Sequence, residues 1–166
     1  MSRYTDVNDE VVEKFLHVLE TRFPSLIQLK TKLIFNNKRK VERGDMVLAT
    51  VESANDKIKY LSKDDIAVEG YDLLIIFDAK AWDLANDKDK ERIISHELRH
   101  VLIDEGGKVK LLPHDISDFR AEVAVNKDDP DWRFKLATLT NDVYEQEKEM
   151  TKQSATLKKK KETTNG

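Results

Sequence analysis

The chain contains no cysteine. This excludes a disulfide framework and any zinc finger or ribbon built on thiolates, so a bound metal would have to be held by histidine and carboxylate. It also fits a reducing compartment. Long apolar runs are missing as well. No stretch approaches the length of a membrane span, and the opening "MSRYTDVNDEVVEKF" lacks the apolar centre of a signal peptide. A cytoplasmic protein with no membrane partner is expected. Positive charge is scarce in the body of the chain. The formal net charge is −3, but residues 151–166 hold five lysines against one glutamate, +4, which leaves −7 on residues 1–150. The body is therefore no basic platform for nucleic acid, and such a role would rest on the tail. There is no glycine-rich phosphate loop, no thiol nucleophile and no serine-centred nucleophile motif.

The 166 residues suffice for one domain with a single core. "NDEVVEKFLHVLETR" (8–22) sets Val11, Val12, Phe15, Leu16 and Leu19 at helical spacing, and Pro24 closes the helix. "LKTKLIFNN" (29–37) and "MVLATVES" (46–53) read as strands joined through "NKRKVERGD" as a hairpin. "YDLLIIFD" (71–78) is the most apolar short run and predicts a strand buried on both faces or nearly so. Helical patterns follow in "AKAWDLAND" and "KDKERIISHELRHVLIDE", the second stopped by Gly106–Gly107. "KVKLLP" suggests a short extended segment, "DISDFRAEVAVNK" a helix interrupted before Pro130, and "DPDWRFKLATLTNDVYEQEKEM" a last long helix. The outline is α+β: a single domain over residues 1–150 with a small antiparallel or mixed sheet, then helices. The lysine-rich tail, 151–166, is predicted to be disordered.

Three of the four histidines fall within "SHELRHVLIDEGGKVKLLPHD" (95–115). On a helix over 89–104, His96 and His100 are four apart and project from neighbouring turns of one face, where their ring nitrogens can converge on one zinc ion. Glu97 sits beside His96 and would reach the water on that ion. Zinc lowers the pKa of such water towards about 7, and a carboxylate can take its proton and later pass it to a leaving amine. H-E-x-x-H on a helix is the sequence form of this arrangement. Ile94, Leu98 and Val101 make a separate apolar stripe for packing, while Ile93, His96, Glu97 and His100 share the working face. A solvated charged helix can show the same five letters by chance; the helical context, the glycine pair and a third histidine distinguish this one.

A catalytic zinc ion takes three protein ligands and leaves one position open. If the chain reverses after Gly106–Gly107, His114 is the natural third ligand and Glu122 its competitor, with Asp115 and Asp118 suited to orienting a ligand ring. Arg99 and Arg120 lie near the motif as candidates for stabilising an oxyanion, though surface charge is the commoner role for arginine. Tyr144 would serve that end only if the last helix covered the cleft. Trp82 and Trp132 read as packing residues and His17 as a surface histidine.

The "HELRH…PHD" arrangement, preceded by "YDLLIIFD" and "AKAWDLANDKDKERIIS", resembles the phage metallopeptidase family, related in outline to SprT-like (Spartan-type) zincins that place a third histidine beyond HExxH. The likeness covers about residues 25–125 and is most specific over 71–119. It implies a minimal zincin-like fold, with a small sheet packed on the active-site helix, further C-terminal helices and an edge strand able to bind substrate. It also implies His96, His100 and His114 as zinc ligands and Glu97 as general base. The cysteine zinc ribbon of many SprT-like proteins cannot exist here and no DNA-binding module replaces it, so the digestion of DNA–protein crosslinks known for some relatives does not carry over.

The expected function is a zinc-dependent metallopeptidase acting on polypeptide. The alternative is a non-catalytic, zinc-stabilised interaction module of phage origin, whose zinc would fasten the helix to the 106–115 loop. The basic tail offers the one route to nucleic acid.

Overall fold

The computed structural model describes residues 2–113 and 120–164. Along the chain come β1 (Tyr4–Asp6), α1 (Asp9–Arg22), β2 (Thr31–Asn36), β3 (Val41–Glu42), β4 (Asp45–Met46), β5 (Ala49–Ser53) and α2 (Asp56–Leu61). The second half holds β6 (Leu73–Asp78), α3 (Ala79–Leu84), α4 (Asp87–Arg99), β7 (Val101–Ile103), β8 (Val109–Leu111), α5 (Arg120–Val125) and α6 (Trp132–Thr164). A mixed four-stranded sheet of order β1-β2-β6-β5 is joined by two small hairpins, β3-β4 and β7-β8. This is the expected α+β class, with small sheets and several helices compatible with a minimal zincin-like domain.

The apolar run at 71–78 supplies the inner strand. Leu73, Ile75 and Phe77 of β6 are fully buried and Leu74 and Ile76 half-buried, as suits a strand covered on both faces. It runs parallel to β2, with Thr31 beside Leu73 and Asn36 beside Asp78, and antiparallel to β5, with Ala49 beside Phe77. The expected hairpin between 29–37 and 46–53 is therefore corrected: β6 lies between the two strands. The intervening residues close on themselves as β3-β4, where Arg43 and Gly44 both take positive φ (51° and 83°), the requirement of a tight two-residue hairpin turn. β1 had no sequence signal, being three exposed residues that add to the far edge.

Helix α1 begins where Asn8 accepts a hydrogen bond from the Val11 amide. It buries Val11, Phe15, Val18 and Leu19, while Val12 and Leu16 stay exposed. α1 packs on α4, and the pairs Lys14–Asp87 (3.2 Å), Arg22–Glu91 (3.8 Å) and Lys90–Glu10 (2.7 Å) flank the contact. Trp82 of α3 fills the core edge-to-face with Phe77, their ring centroids 5.1 Å apart.

The ends of two helices differ from expectation. α4 stops at Arg99 with His100 as its C-cap, and does not run on to residue 104. Val101–Ile103, rich in β-branched side chains, pairs with Val109–Leu111 instead, so Gly106–Gly107 turn a hairpin. α6 continues to Thr164, through the stretch whose composition predicts disorder. Residues 151–164 are all exposed. Local propensity supports their helical form, since nine of these fourteen residues are lysine, alanine, leucine, glutamine or glutamate and no glycine or proline interrupts them. None of the described helices is long and apolar enough to cross a membrane.

Candidate functional site

Asn86 caps α4 by accepting from the Asp89 amide. Ile94 and Leu98 then turn into the core, with Val101 following from β7, which leaves Ile93, His96, Glu97 and His100 facing a cleft of about 710 Å³. His96 and Glu97 are buried to 3% and 7% exposure, so neither is a solvated surface residue. The rings of His96 and His100 stand edge to face, centroids 5.5 Å apart and planes at 78°. His100 is held twice at the helix end: the Leu112 amide donates to its carbonyl oxygen at 2.6 Å, and its Nδ1 lies 2.6 Å from the Leu112 carbonyl oxygen. A carbonyl can only accept, so Nδ1 carries the proton and the lone pair of the neutral ring sits on Nε2. This is the tautomer a metal-binding histidine needs, fixed by a backbone partner.

The stretch from Asp45 through Val51 borders the cleft continuously, joined by Glu42 and Arg43 of the β3-β4 hairpin, Leu111 at the end of β8 and Pro113 beyond it, and Trp132 and Arg133 at the start of α6. β5 is the edge strand of the main sheet and opens onto this space.

The other predicted residues are distributed as follows. Glu122 is 1% exposed and its Oε1 accepts from Ser95 Oγ (2.7 Å) and Arg99 Nε (2.8 Å). Among the described residues no group of three or more histidines and carboxylates converges as a metal-holding set, so Glu122 does not complete the pair. Arg99 lies against Glu122 with its guanidinium over the Phe23 ring (4.9 Å) and does not line the cleft. His114, Asp115 and Asp118, and the side chain of Arg120, lie outside the described residues. Tyr144 donates to Asp78 Oδ2 (2.8 Å) at the α3–α6 contact, away from the cleft. His17 is exposed on α1. Trp82 is a core residue, and Trp132 both packs in the core and borders the cleft.

Two features carry no signature in the sequence. Arg133 reaches the cleft from an element 33 residues beyond His100, and only the fold brings it there. The back of α4 carries a polar seam, in which Arg92 bonds Asn126 (3.2 Å), Asp89 (2.6 Å) and Asp128 (2.9 Å) while Ser95 and Arg99 share Glu122.

The sequence matches the putative phage metallopeptidase family over residues 5–146, a span that takes in the whole cleft. The chain belongs to this family. No curated protein and no solved structure matches it. The family match extends beyond residues 25–125 on both sides, adding α1 and the part of α6 that contacts the body. Membership in a metallopeptidase family implies a metal, and the donors on α4 suit one: two imidazoles on one face, one with its tautomer set, beside a largely buried carboxylate.

Proposed function

We propose that the protein is a zinc-dependent metallopeptidase in which His96, His100 and His114 hold the ion and Glu97 is the general base. The observation that carries this reading is the meeting of His96, Glu97 and His100 on the floor of a cleft bordered by the edge strand β5. A zinc ion held by these imidazoles supplies Lewis acidity, which makes water more acidic and polarises a peptide carbonyl. Glu97 takes a proton from the attacking water and returns it to the leaving nitrogen as the C–N bond breaks. Its burial keeps bulk water away from that transfer. The main-chain groups of β5 on the side away from β6 offer hydrogen bonds to an extended polypeptide, as in strand addition, and the small side chains of Ala49 and Thr50 leave the backbone accessible. A proteinaceous substrate is the class this geometry favours.

Elemental analysis of the purified protein and of His114→Ala and Glu122→Ala tests the ligand set. About one zinc per chain is expected in the wild type, lost with His114 and kept without Glu122. Glu97→Gln should keep its zinc and lose peptidase turnover by about 100-fold or more. Retained turnover in Glu97→Gln would remove that residue from the mechanism; zinc without turnover in the wild type would favour the interaction-module reading.

A further inference from the structure

We infer that Glu122 is a positioning residue for the histidine pair, acting through α4 and not on the ion. The inference rests on the metal-site reading above. Ser95 and Arg99, the two residues that Glu122 Oε1 binds, immediately precede His96 and His100. One carboxylate oxygen on α5 thus holds two successive turns of the helix at the residues beside both candidate ligands. Arg99 is held a second time by the Phe23 ring.

Two features mark this contact as more than an attachment. Glu122 and Ser95 are buried to 1% and 0% exposure, yet Glu122 Oε2 has no hydrogen-bond partner among the described residues. A buried carboxylate with one oxygen unsatisfied is a costly way to join two helices, and apolar side chains of similar volume commonly join them as well or better. What the carboxylate adds is direction: two hydrogen bonds fix the rotation of α4 about its axis.

The second feature is the position of the contact. The last turn of a helix lacks half of its internal hydrogen bonds and opens first. Here that turn holds Arg99 and the cap residue His100, and the chain becomes strand at Val101. Opening of the turn would swing the His100 ring out of register with His96, and metal ligands tolerate errors of only about 0.2 Å in their bond lengths. Glu122 of α5 and the Leu112 carbonyl just beyond β8 hold this turn from two sides, the first through Arg99 and the second through His100.

The test compares wild type, Ser95→Ala/Glu122→Leu and Glu122→Gln. The double variant removes the carboxylate and also the hydroxyl that would be left buried without it. Zinc affinity is measured by chelator competition, and backbone amide hydrogen exchange over residues 96–101 is measured without metal. The double variant should unfold at a temperature equal to or above that of the wild type. It should still take up one zinc per chain at saturation, but bind it about 10- to 100-fold more weakly and exchange faster in the last turn of α4. Glu122→Gln, which keeps an acceptor for Ser95, should recover part of both effects. Affinity within twofold of the wild type, with unchanged exchange, overturns the inference. So does loss of zinc at saturation in a folded variant, which would make Glu122 a ligand. If the wild type takes up no zinc, the proposed function fails, and the exchange measurement alone decides whether Glu122 holds the turn.

Discussion

Asp78 ends β6, caps α3 by accepting from the Ala81 amide (2.8 Å), and accepts from Tyr144 of α6 (2.8 Å). Burial pushes its carboxyl above the ordinary value of 3.8, against the hydrogen bonds from Ala81 and Tyr144 and the nearby Lys80 ammonium, which favour the charged form. The folded state then holds a proton more tightly than the unfolded chain does. The contribution of Asp78 is therefore full below about pH 3.8 and declines as pH rises through the elevated folded value. Asp78→Asn keeps the cap acceptor and does not ionise. Its stability relative to the wild type should rise between pH 4 and pH 7 in thermal melts, and a flat difference would refute the assignment. The same burial, with the hydrogen bond to Asp78, pushes the Tyr144 hydroxyl up, so this tyrosine stays protonated as a donor and is no proton shuttle. At this scale the sequence was most legible where chemistry is local. His96, Glu97 and His100 lie within one turn and a half, so spacing alone places them on one face. Glu122 and Arg133 act across 23 residues or more and carry no periodic signature.

Helical patterns in the sequence located α1, α3 and α4, while ends and pairings were harder to read. Residues 101–103 continue a helical pattern in composition, and only the partner strand at 109–111 draws them into a hairpin. The strands β2 and β5 looked like neighbours because the polar stretch "NKRKVERGD" between them reads as a hairpin connection; the more apolar β6 comes between them. Asn86→Ala should cost about 1 kcal/mol in chemical denaturation, the usual worth of an N-cap. Gly70, before β6, holds a positive φ of 86° and a side chain there would collide with the Lys59 carbonyl of α2. Gly70→Ala should therefore destabilise by about 2–4 kcal/mol, and a loss well below 1 kcal/mol would show that α2 shifts freely. By contrast, removing residues 151–164 should leave the thermal midpoint unchanged and lower helical ellipticity, because that part of α6 is exposed throughout.

For the molecule as a whole, composition excluded thiolate metal sites and a basic body, and the HExxH spacing pointed to the helix that borders the cleft. It could not supply the walls of the cleft. These come from β4–β5, the end of β8 and the start of α6, three segments whose approach depends on sheet order. The first half of α6 is fastened to the body by Arg39–Asn141 (2.7 Å), Arg39–Glu145 (2.6 Å) and Lys80–Glu147 (2.7 Å) besides Tyr144. Trp132 and Arg133 at the cleft are thereby coupled to contacts two to four turns along the same helix. Tyr144→Phe should raise KM for a protein substrate more than it lowers kcat if this fastening sets the cleft wall; equal effects on both would indicate a different route.

The parallel pairing of β2 with β6 has a kinetic consequence. Lys30 meets Asp72 across 42 residues, and no two neighbours in the main sheet are joined by a tight turn. Loop closure on that scale must precede the contacts that reward it, so the sheet cannot zip from a local nucleus. Among the described residues, only the β3-β4 and β7-β8 hairpins and the helices can form early. Refolding followed by stopped flow should show helix signal ahead of the burial of Trp82, and the histidine pair should gain metal affinity only with the slower event.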